Sequence, residues 1–211
     1  MASWSPENAT KAFLRALKMG KGGKEPDVAE FISALAAGNN AQLMVMACAG
    51  VAGTTALALV AAKHQTGGRV VCILPSQNYL KESKESLRPY SNCVDFFIGN
   101  PKTLLLDNFK GADFVLIDCD IKEHRGVFLA AAQKGTSGHD GALIVGYNAL
   151  GKGSWGSDSR AQIHFLPIGG GLLVSRVTSS KRSHWVVKVD KCTGEEHVFR
   201  ITSPKRPWVQ A

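Results

Sequence analysis

Apolar residues recur at Ala9, Ala12, Phe13, Ala16 and Leu17, with the three- and four-residue spacing of one helical face. Ser5-Pro6-Glu7 supplies an N-cap, a first-turn proline and an early acid ahead of that stripe. A second stripe, Val28, Phe31, Ile32 and Leu35, predicts a helix over Pro26 to Ala37, after a glycine- and lysine-rich linker from Gly20 to Lys24. From Leu43 onward the pattern changes to short apolar runs alternating with helix-length segments. Leu43 to Ala47 precedes a helix over Thr54 to His64, and Val70 to Leu74 precedes one over Ser76 to Leu87. Val94 to Ile98 leads to a short helical turn after Pro101, Phe114 to Ile117 to a helix over Lys122 to Gln133, and Ala142 to Val145 forms the fifth run.

Runs that are apolar on both faces, each followed by a helix, are what a parallel sheet covered on both sides requires. The expected architecture is a doubly wound α/β domain. After the fifth run the alternation stops: Ile163 to Leu166, Gly171 to Val177, Trp185 to Val189 and His197 to Ile201 leave no room for helices and are expected to pair antiparallel. Lys191 to Glu196 has the glycine and polar residues of a hairpin loop, so Trp185 to Ile201 reads as a C-terminal hairpin added to the sheet. The chain is therefore expected to be one domain over 1–211, with N-terminal helices at 1–40, a core at 41–178 and an added hairpin and tail at 179–211. Gly151 to Ser159 has the glycine and serine content of a loop.

Composition narrows the class of protein. Leu43 to Ala62 is the one uncharged stretch long enough to test as a membrane span, but Gly50, Gly53, Thr54 and Thr55 interrupt it, so no membrane insertion is expected. The start lacks the basic and apolar regions of a signal peptide, which makes a cytosolic or nuclear-cytosolic location the default. The cysteines, Cys48, Cys72, Cys93, Cys119 and Cys192, are odd in number and mostly lie in or beside apolar runs, where a thiol packs as a small hydrophobe. No Cys-x-x-Cys pair or close histidine cluster supports a zinc site. The formal charge of +8 gathers toward the ends, at Lys18, Lys21 and Lys24 and at Lys181, Arg182, Lys188, Lys191, Arg200, Lys205 and Arg206. That distribution raises nucleic acid as a partner, but the interleaved exposed aromatics of an RNA-binding motif are missing.

In a doubly wound sheet, ligands bind beyond the carboxyl ends of the strands, and the first strand-to-helix turn meets the cofactor. Here that turn is Ala47 to Thr55. Its small residues, including Gly50 and Gly53, let a ligand approach the backbone, and the helix starting near Thr54 presents free N–H groups to a carboxylate or phosphate. Small residues at such a turn equally serve tight strand–helix packing.

Four segments in order, Ala49 to Leu59, Asp113 to Asp118, Tyr147 to Ser154 and Leu166 to Leu172, resemble the caffeoyl-CoA and catechol type of O-methyltransferase. They are more similar still to a plant group of uncharacterised methyltransferase-like proteins. The likeness runs over about Pro26 to Val177. It implies the class I S-adenosylmethionine-dependent methyltransferase fold, a Rossmann-like, mostly parallel sheet, with S-adenosylmethionine as the cofactor. On that resemblance Gly53 matches the second glycine of the cofactor turn, and Thr55 a hydroxyl position beside the methionine carboxylate. The first glycine is Ala49 or Gly50, depending on a gap. Asp118 and Asn148 match two of the family's three protein ligands for a divalent metal.

The departures are at charged positions. Tyr147 stands where the family has the third metal ligand, an aspartate, and Ile121 stands where it has a catalytic lysine, with Lys122 one residue late. Hard divalent cations favour several oxygen ligands, so no metal is expected, only a remnant site at Asp118 and Asn148. The second strand ends Leu74-Pro75-Ser76-Gln77, with no carboxylate for the ribose hydroxyls; Ser76 or Gln77 can offer only neutral hydrogen bonds. An uncharged Ala47 or Cys48 replaces the acid of the first turn. Candidate cofactor-binding residues are Gly50, Gly53, Thr54, Thr55, Ser76 and Asp118, and no catalytic residue is assigned. Asp118, Asp120, Glu123 and His124 form an acidic-histidine group, in which Asp118 is expected to cap the next helix and Glu123 and His124 to face solvent. Cys119 has no predicted base. Three functions fit: a methyltransferase with a metal-free mechanism and weakly bound S-adenosylmethionine, a non-catalytic descendant binding a small molecule or a protein partner, or a basic nucleic-acid-associated protein supported by charge alone.

Overall fold

The computed structural model describes residues 4–20, 28–132, 141–152, 163–177, 183–189 and 196–202. The chain divides into two compact units, Met1–Thr178 and Ser179–Ala211.

In the first unit, α1 (Pro6–Met19) begins as its sequence requires, with the Ser5 hydroxyl accepting the Asn8 amide at 3.3 Å. It buries Ala9, Ala12 and Ala16, and α2 (Val28–Gly38) follows it. The predicted linker from Gly20 to Lys24 lies almost wholly outside the described residues, as do Pro26 at the predicted start of α2, Lys21 and the basic residues Lys181, Arg182, Lys191, Lys205 and Arg206.

The strands β1 (Leu43–Ala47), β2 (Arg69–Leu74), β3 (Asp95–Ile98), β4 (Phe114–Asp118), β5 (Leu143–Tyr147), β6 (Ile163–Leu166) and β7 (Leu172–Arg176) form one sheet, ordered β3-β2-β1-β4-β5-β7-β6. The first five pair in parallel and β7 pairs antiparallel with both neighbours. This is the doubly wound sheet expected from the alternation of runs and helices, with the Rossmann-like order that the family resemblance implies. One buried cluster joins α2, α3 (Thr54–Thr66) and one face of the sheet through Ile32, Met44, Met46 and Leu59. Another covers the opposite face through Val45, Ile73, Leu105, Val115, Ile117 and Phe128, from α5 (Pro101–Asp107) and α6 (His124–Ala130). Each such side chain contributes about 1.5–3 kcal/mol on burial, so the two clusters together set the alternating order of the layers.

Several boundaries differ from the sequence reading, each for a local reason. The helix predicted from Ser76 is α4 (Asn78–Ser86), because the Tyr79 and Leu80 amides first close turns on the Ser76 and Gln77 carbonyls. The helix predicted from Lys122 begins only at His124: Asp118 Oδ1 accepts the Asp120 amide at 3.0 Å, and the Ile121 and His124 amides close successive turns. Asp118 is thus the head of a turn and not a helix cap; α6 starts after Glu123, whose side chain makes no capping bond. The fifth strand runs two residues past Val145. Gly146 does not end it, because a Cβ there would lie 3.0 Å from Cys119 Sγ, so the glycine is a packing requirement within the strand.

The hairpin corrects the sheet assignment. The strands β8 (Ser183–Val189) and β9 (Glu196–Thr202) pair antiparallel in register Val187↔Val198, as expected, but they form a two-stranded sheet of their own and do not extend the main one. Alternating apolar and polar residues predict a strand but not its partner. The hairpin loop at 191–195 and most of the predicted loop Gly151 to Ser159 fall outside the described residues. Among the described residues, no helix is long and apolar enough to cross a membrane.

Gly68 tests how β1 and β2 are brought together. A Cβ at this buried position would lie 2.5 Å from the Ala41 carbonyl oxygen and 2.9 Å from Gln42 Cα, both backbone atoms that cannot move aside. Gly68→Ala is expected to destabilise the fold by about 1–3 kcal/mol in urea denaturation. An unchanged midpoint would show that the approach of the two chains here is looser than described.

Candidate functional site

Parallel pairing of β2, β1, β4 and β5 puts their carboxyl ends at one edge of the sheet. The segments that follow them, Cys48 to Gly53, Pro75 to Gln77, Cys119 to Glu123 and Asn148 to Lys152, therefore share that edge. Cys48 continues the β1 pairing by donating its amide to the Ile73 carbonyl at 3.0 Å. The turn then opens into α3, with Gly53 at its N-cap and no side-chain capping bond. A Cβ on Gly53 would meet no atom within 4 Å, so the space beside this turn is open. Among the described residues, the amides of Gly53, Thr54 and Thr55 donate no hydrogen bond. A helix start with free donors beside open space suits an anionic or strongly polar group.

The far side of the turn is held by α4. Ser83 is buried and its hydroxyl accepts the Ala52 amide at 2.9 Å. The Tyr79 ring lies over Gly50, 3.6 Å from where a Cβ would be. Ser76 is half-buried at the end of β2, and Pro75 and Gln77 beside it are exposed.

Asp118 and Asn148, which the resemblance paired, do meet at the ends of β4 and β5. The register sets Asp118 opposite Tyr147, and the Tyr147 hydroxyl donates to Asp118 Oδ2 at 3.0 Å. Asn148 adopts a left-handed backbone, φ 57°, which turns its amide Nδ2 toward both Asp118 Oδ1 and Asp120 Oδ2, each at 3.2 Å. Asp120 Oδ1 in turn accepts the Lys152 ammonium at 2.6 Å. The loop carrying Asn148 and Lys152 is pinned by the turn between β6 and β7, since the Ala149 and Leu150 amides bond the Gly171 and Gly170 carbonyls. Gly171, at φ 86° and with a Cβ position 2.8 Å from the Leu150 nitrogen, has to be glycine.

The electrostatics follow from this packing. Burial, with the Asp118 charge next, pushes the Tyr147 phenol well above its ordinary range, so it keeps its proton and acts as a donor. The Cys119 thiol is pushed up to about 12, first by burial and then by Asp118. That leaves it no thiolate for nucleophilic work near neutrality. Lys152 is held protonated, mainly by its hydrogen bond with Asp120. Among the described residues, no group of three or more His, Cys, Asp or Glu side chains is placed to hold a metal ion. Glu123 is exposed as expected. His124, expected to face solvent, is half-buried, with Nδ1 2.8 Å from the Ile121 carbonyl.

Sequence reasoning missed Tyr79, Ser83, Asp120 as a bridge, and Lys152. The last had a readable signal, a lysine four residues beyond Asn148 in the same loop. The others are brought in by tertiary packing.

The family described as "Protein of unknown function (DUF1442)" matches residues 1–201. None of the curated proteins compared matches the chain significantly. Among solved structures, the chain is similar to the SAH-bound methyltransferase PaMTH1 of Podospora anserina, at 13% identity over 84% of this chain and 91% of that one, with TM-score 0.59. It is also similar to a methyltransferase from Geobacter sulfurreducens, at 18% identity over 83% and 91%, with TM-score 0.56. An O-methyltransferase from Bacillus cereus in complex with SAH matches at 14% identity over 82% and 92%, with TM-score 0.56. At these identities the likeness shows the methyltransferase fold.

The raised Cys119 thiol makes a pH-dependent expectation. The unfolded thiol loses its proton near pH 8.5, while the native one holds it to about 12, so this group's contribution to stability is full below about pH 8.5 and falls as pH rises through that window. Iodoacetamide at pH 8 is expected to leave Cys119 unmodified in native protein and to alkylate it in urea. Rapid labelling of the native thiol would refute the burial and charge argument.

Proposed function

The chain belongs to the DUF1442 family, and from that premise we propose that it is a S-adenosylmethionine-dependent methyltransferase-like protein that works without a divalent metal. The open helix start at Gly53 to Thr55 carries this reading: it offers unengaged N–H donors at the point of the fold where ligands of doubly wound sheets bind. That two structures of this fold hold SAH supports the choice of ligand. In this reading Gly50, Gly53, Thr54, Thr55 and Ser76 line the cofactor cleft, and Asp118 closes its floor toward the acceptor.

The metal of the caffeoyl-CoA and catechol type does not fit these residues. Both Asp118 oxygens accept hydrogen bonds, Asn148 presents its nitrogen and not its oxygen to the carboxylates, and the Tyr147 phenol keeps its proton. A hard cation needs oxygen lone pairs free to face it. Methyl transfer can proceed without one when the site holds the acceptor in line: the acceptor lone pair forms the bond to the methyl carbon, and the S–C electron pair returns to the sulfonium sulfur.

A second reading, a non-catalytic ligand-binding descendant, is favoured by Tyr79 over Gly50 and by the absence of a carboxylate after Leu74. Calorimetric titration separates the two when combined with a turnover assay. We expect S-adenosylmethionine and S-adenosylhomocysteine to bind saturably, but about one to two powers of ten more weakly than with a ribose carboxylate. Gly53→Val has open space for its side chain, so the fold is expected to survive while binding falls at least tenfold. Unchanged affinity in folded Gly53→Val would place the ligand elsewhere.

Metal analysis of protein prepared without chelator gives an independent check. No stoichiometric magnesium, calcium or manganese is expected. One such ion that disappears on Asp118→Ala would contradict the metal-free reading.

A further inference from the structure

At the end of α3 farthest from the strand ends, a cavity of about 460 Å³ lies between α1, the last turn of α3 and Tyr90. Gln65 on its wall stands about 16 Å along α3 from Thr54, at roughly 1.5 Å of rise per residue, so the cavity is separate from the open helix start. A volume of this size suits a small ligand. Its walls divide by chemistry. Lys11, Arg15 and Lys18 recur at the spacing of one face of α1 and bring three positive charges to it. Leu14, Met19 and Tyr90 supply apolar surface: Met19 and Tyr90 rest against the core, and Leu14 is 50% exposed.

Arg15 carries a second, independent signal. Its Nε is shut off from water and, among the described residues, has no hydrogen-bond partner. A buried donor left unsatisfied is uncommon in folded proteins, because nothing returns the cost of its desolvation. The charges around it are short of a counter-ion. The acids of α1 and α2 are Glu7, which pairs with Lys11, and Glu30, which is buried beside Gly20; α3 has none. Lys63 of α3 donates to the Cys93 carbonyl at 2.9 Å, a neutral partner that leaves its charge in place. His64 is held below its ordinary range, first by desolvation and then by the Arg15 and Lys63 charges. The carbonyl ends of α1 and α3 bring only about half a negative charge each to this corner.

We propose that this cavity binds a small phosphate monoester with an apolar or aromatic body, its phosphate on Arg15 and Lys18 and its body against Leu14, Met19 and Tyr90. A guanidinium presents a fork of N–H donors that fits two phosphate oxygens. The roughly two negative charges of a monoester match Arg15 and Lys18, since Glu7 has taken Lys11. A nucleic acid needs cations spread along an extended track; here three cations share one small volume with apolar groups. The inference goes beyond the function proposed above and does not depend on S-adenosylmethionine binding at the other end of α3.

The test is calorimetric titration of the full-length protein with phenyl phosphate, inorganic phosphate and a short RNA duplex. Phenyl phosphate is expected to saturate one site per chain, with inorganic phosphate about tenfold weaker because it leaves the apolar wall unused. Arg15→Gln should weaken phenyl phosphate at least tenfold, by loss of a charge-assisted pair of donors. Lys18 is exposed, so Lys18→Gln should fold whatever Arg15→Gln does, and should weaken binding by about threefold. Far-ultraviolet circular dichroism checks both variants. No saturable binding of phenyl phosphate, or an affinity that Lys18→Gln and folded Arg15→Gln leave unchanged, overturns the proposal. Inorganic phosphate binding as tightly as phenyl phosphate removes the apolar body from it. RNA binding that is tighter than phenyl phosphate, falls steeply with salt and is lost in the same variants overturns the small ligand in favour of nucleic acid.

Discussion

Everything chemical in this molecule depends on β1 being buried on both faces and paired in parallel on both edges. Met44, Val45, Met46 and Ala47 are all but inaccessible to water, and their partners are Val70 to Ile73 on one side and Phe114 to Ile117 on the other. A parallel sheet cannot be closed by tight hairpins; each crossover has to return over a face, which is why α3 and α4 follow β1 and β2. The same constraint sends all the strand ends in one direction. The glycine turn, Ser76, Asp118 and Asn148 are neighbours at that edge because of register and not because any of them attracts the others.

At the β4–β5 end, the half-buried Asp118 carboxylate faces a phenol, Tyr147, and its oxygens have to be satisfied there. A carboxylate half-buried without donors costs several times what a neutral hydrogen bond contributes. The phenol meets that demand by donating to Asp118, Asn148 takes the other oxygen, and the Asp120–Lys152 pair carries the remaining charge toward solvent. The outcome is a closed chain of donors and acceptors in which the tyrosine proton is tied up. Tyr147 is for that reason a hydrogen-bond donor and not a base at neutral pH.

The sheet was legible because its signal is redundant. Met44 to Ala47, Val70 to Leu74 and Phe114 to Ile117 are each apolar throughout, and such runs between helix-length segments have few other solutions. The end of β5 was harder to read, since Gly146 looks like a strand terminator until Cys119 Sγ is known to sit against it. The hairpin from β8 to β9 was read correctly as a pair and wrongly as an extension of the sheet, because alternation carries no information about the partner. In the site, Asp118 and Asn148 could be paired through resemblance, but Tyr79 and Ser83 approach the turn through the packing of α4, which no local spacing encodes. Asp120 and Lys152 are 32 residues apart and meet only because β4 and β5 are adjacent.

The contact between Ser83 and the turn bears on whether the cleft still takes a ligand. At first sight a hydroxyl on the Ala52 amide removes a donor that a cofactor would use. Ala52, however, is fully buried, so its N–H faces the protein and would be orphaned without Ser83. The bond therefore holds the turn in shape while the next three amides, at Gly53, Thr54 and Thr55, stay open. On the proposed function, what weighs against tight binding is of a different kind: Tyr79 lies over Gly50, and Ser76 would offer a ribose a neutral partner where a charged one would be stronger. Both would act on affinity and not on where the proposed cofactor sits, since the open helix start at Gly53 to Thr55 involves neither residue.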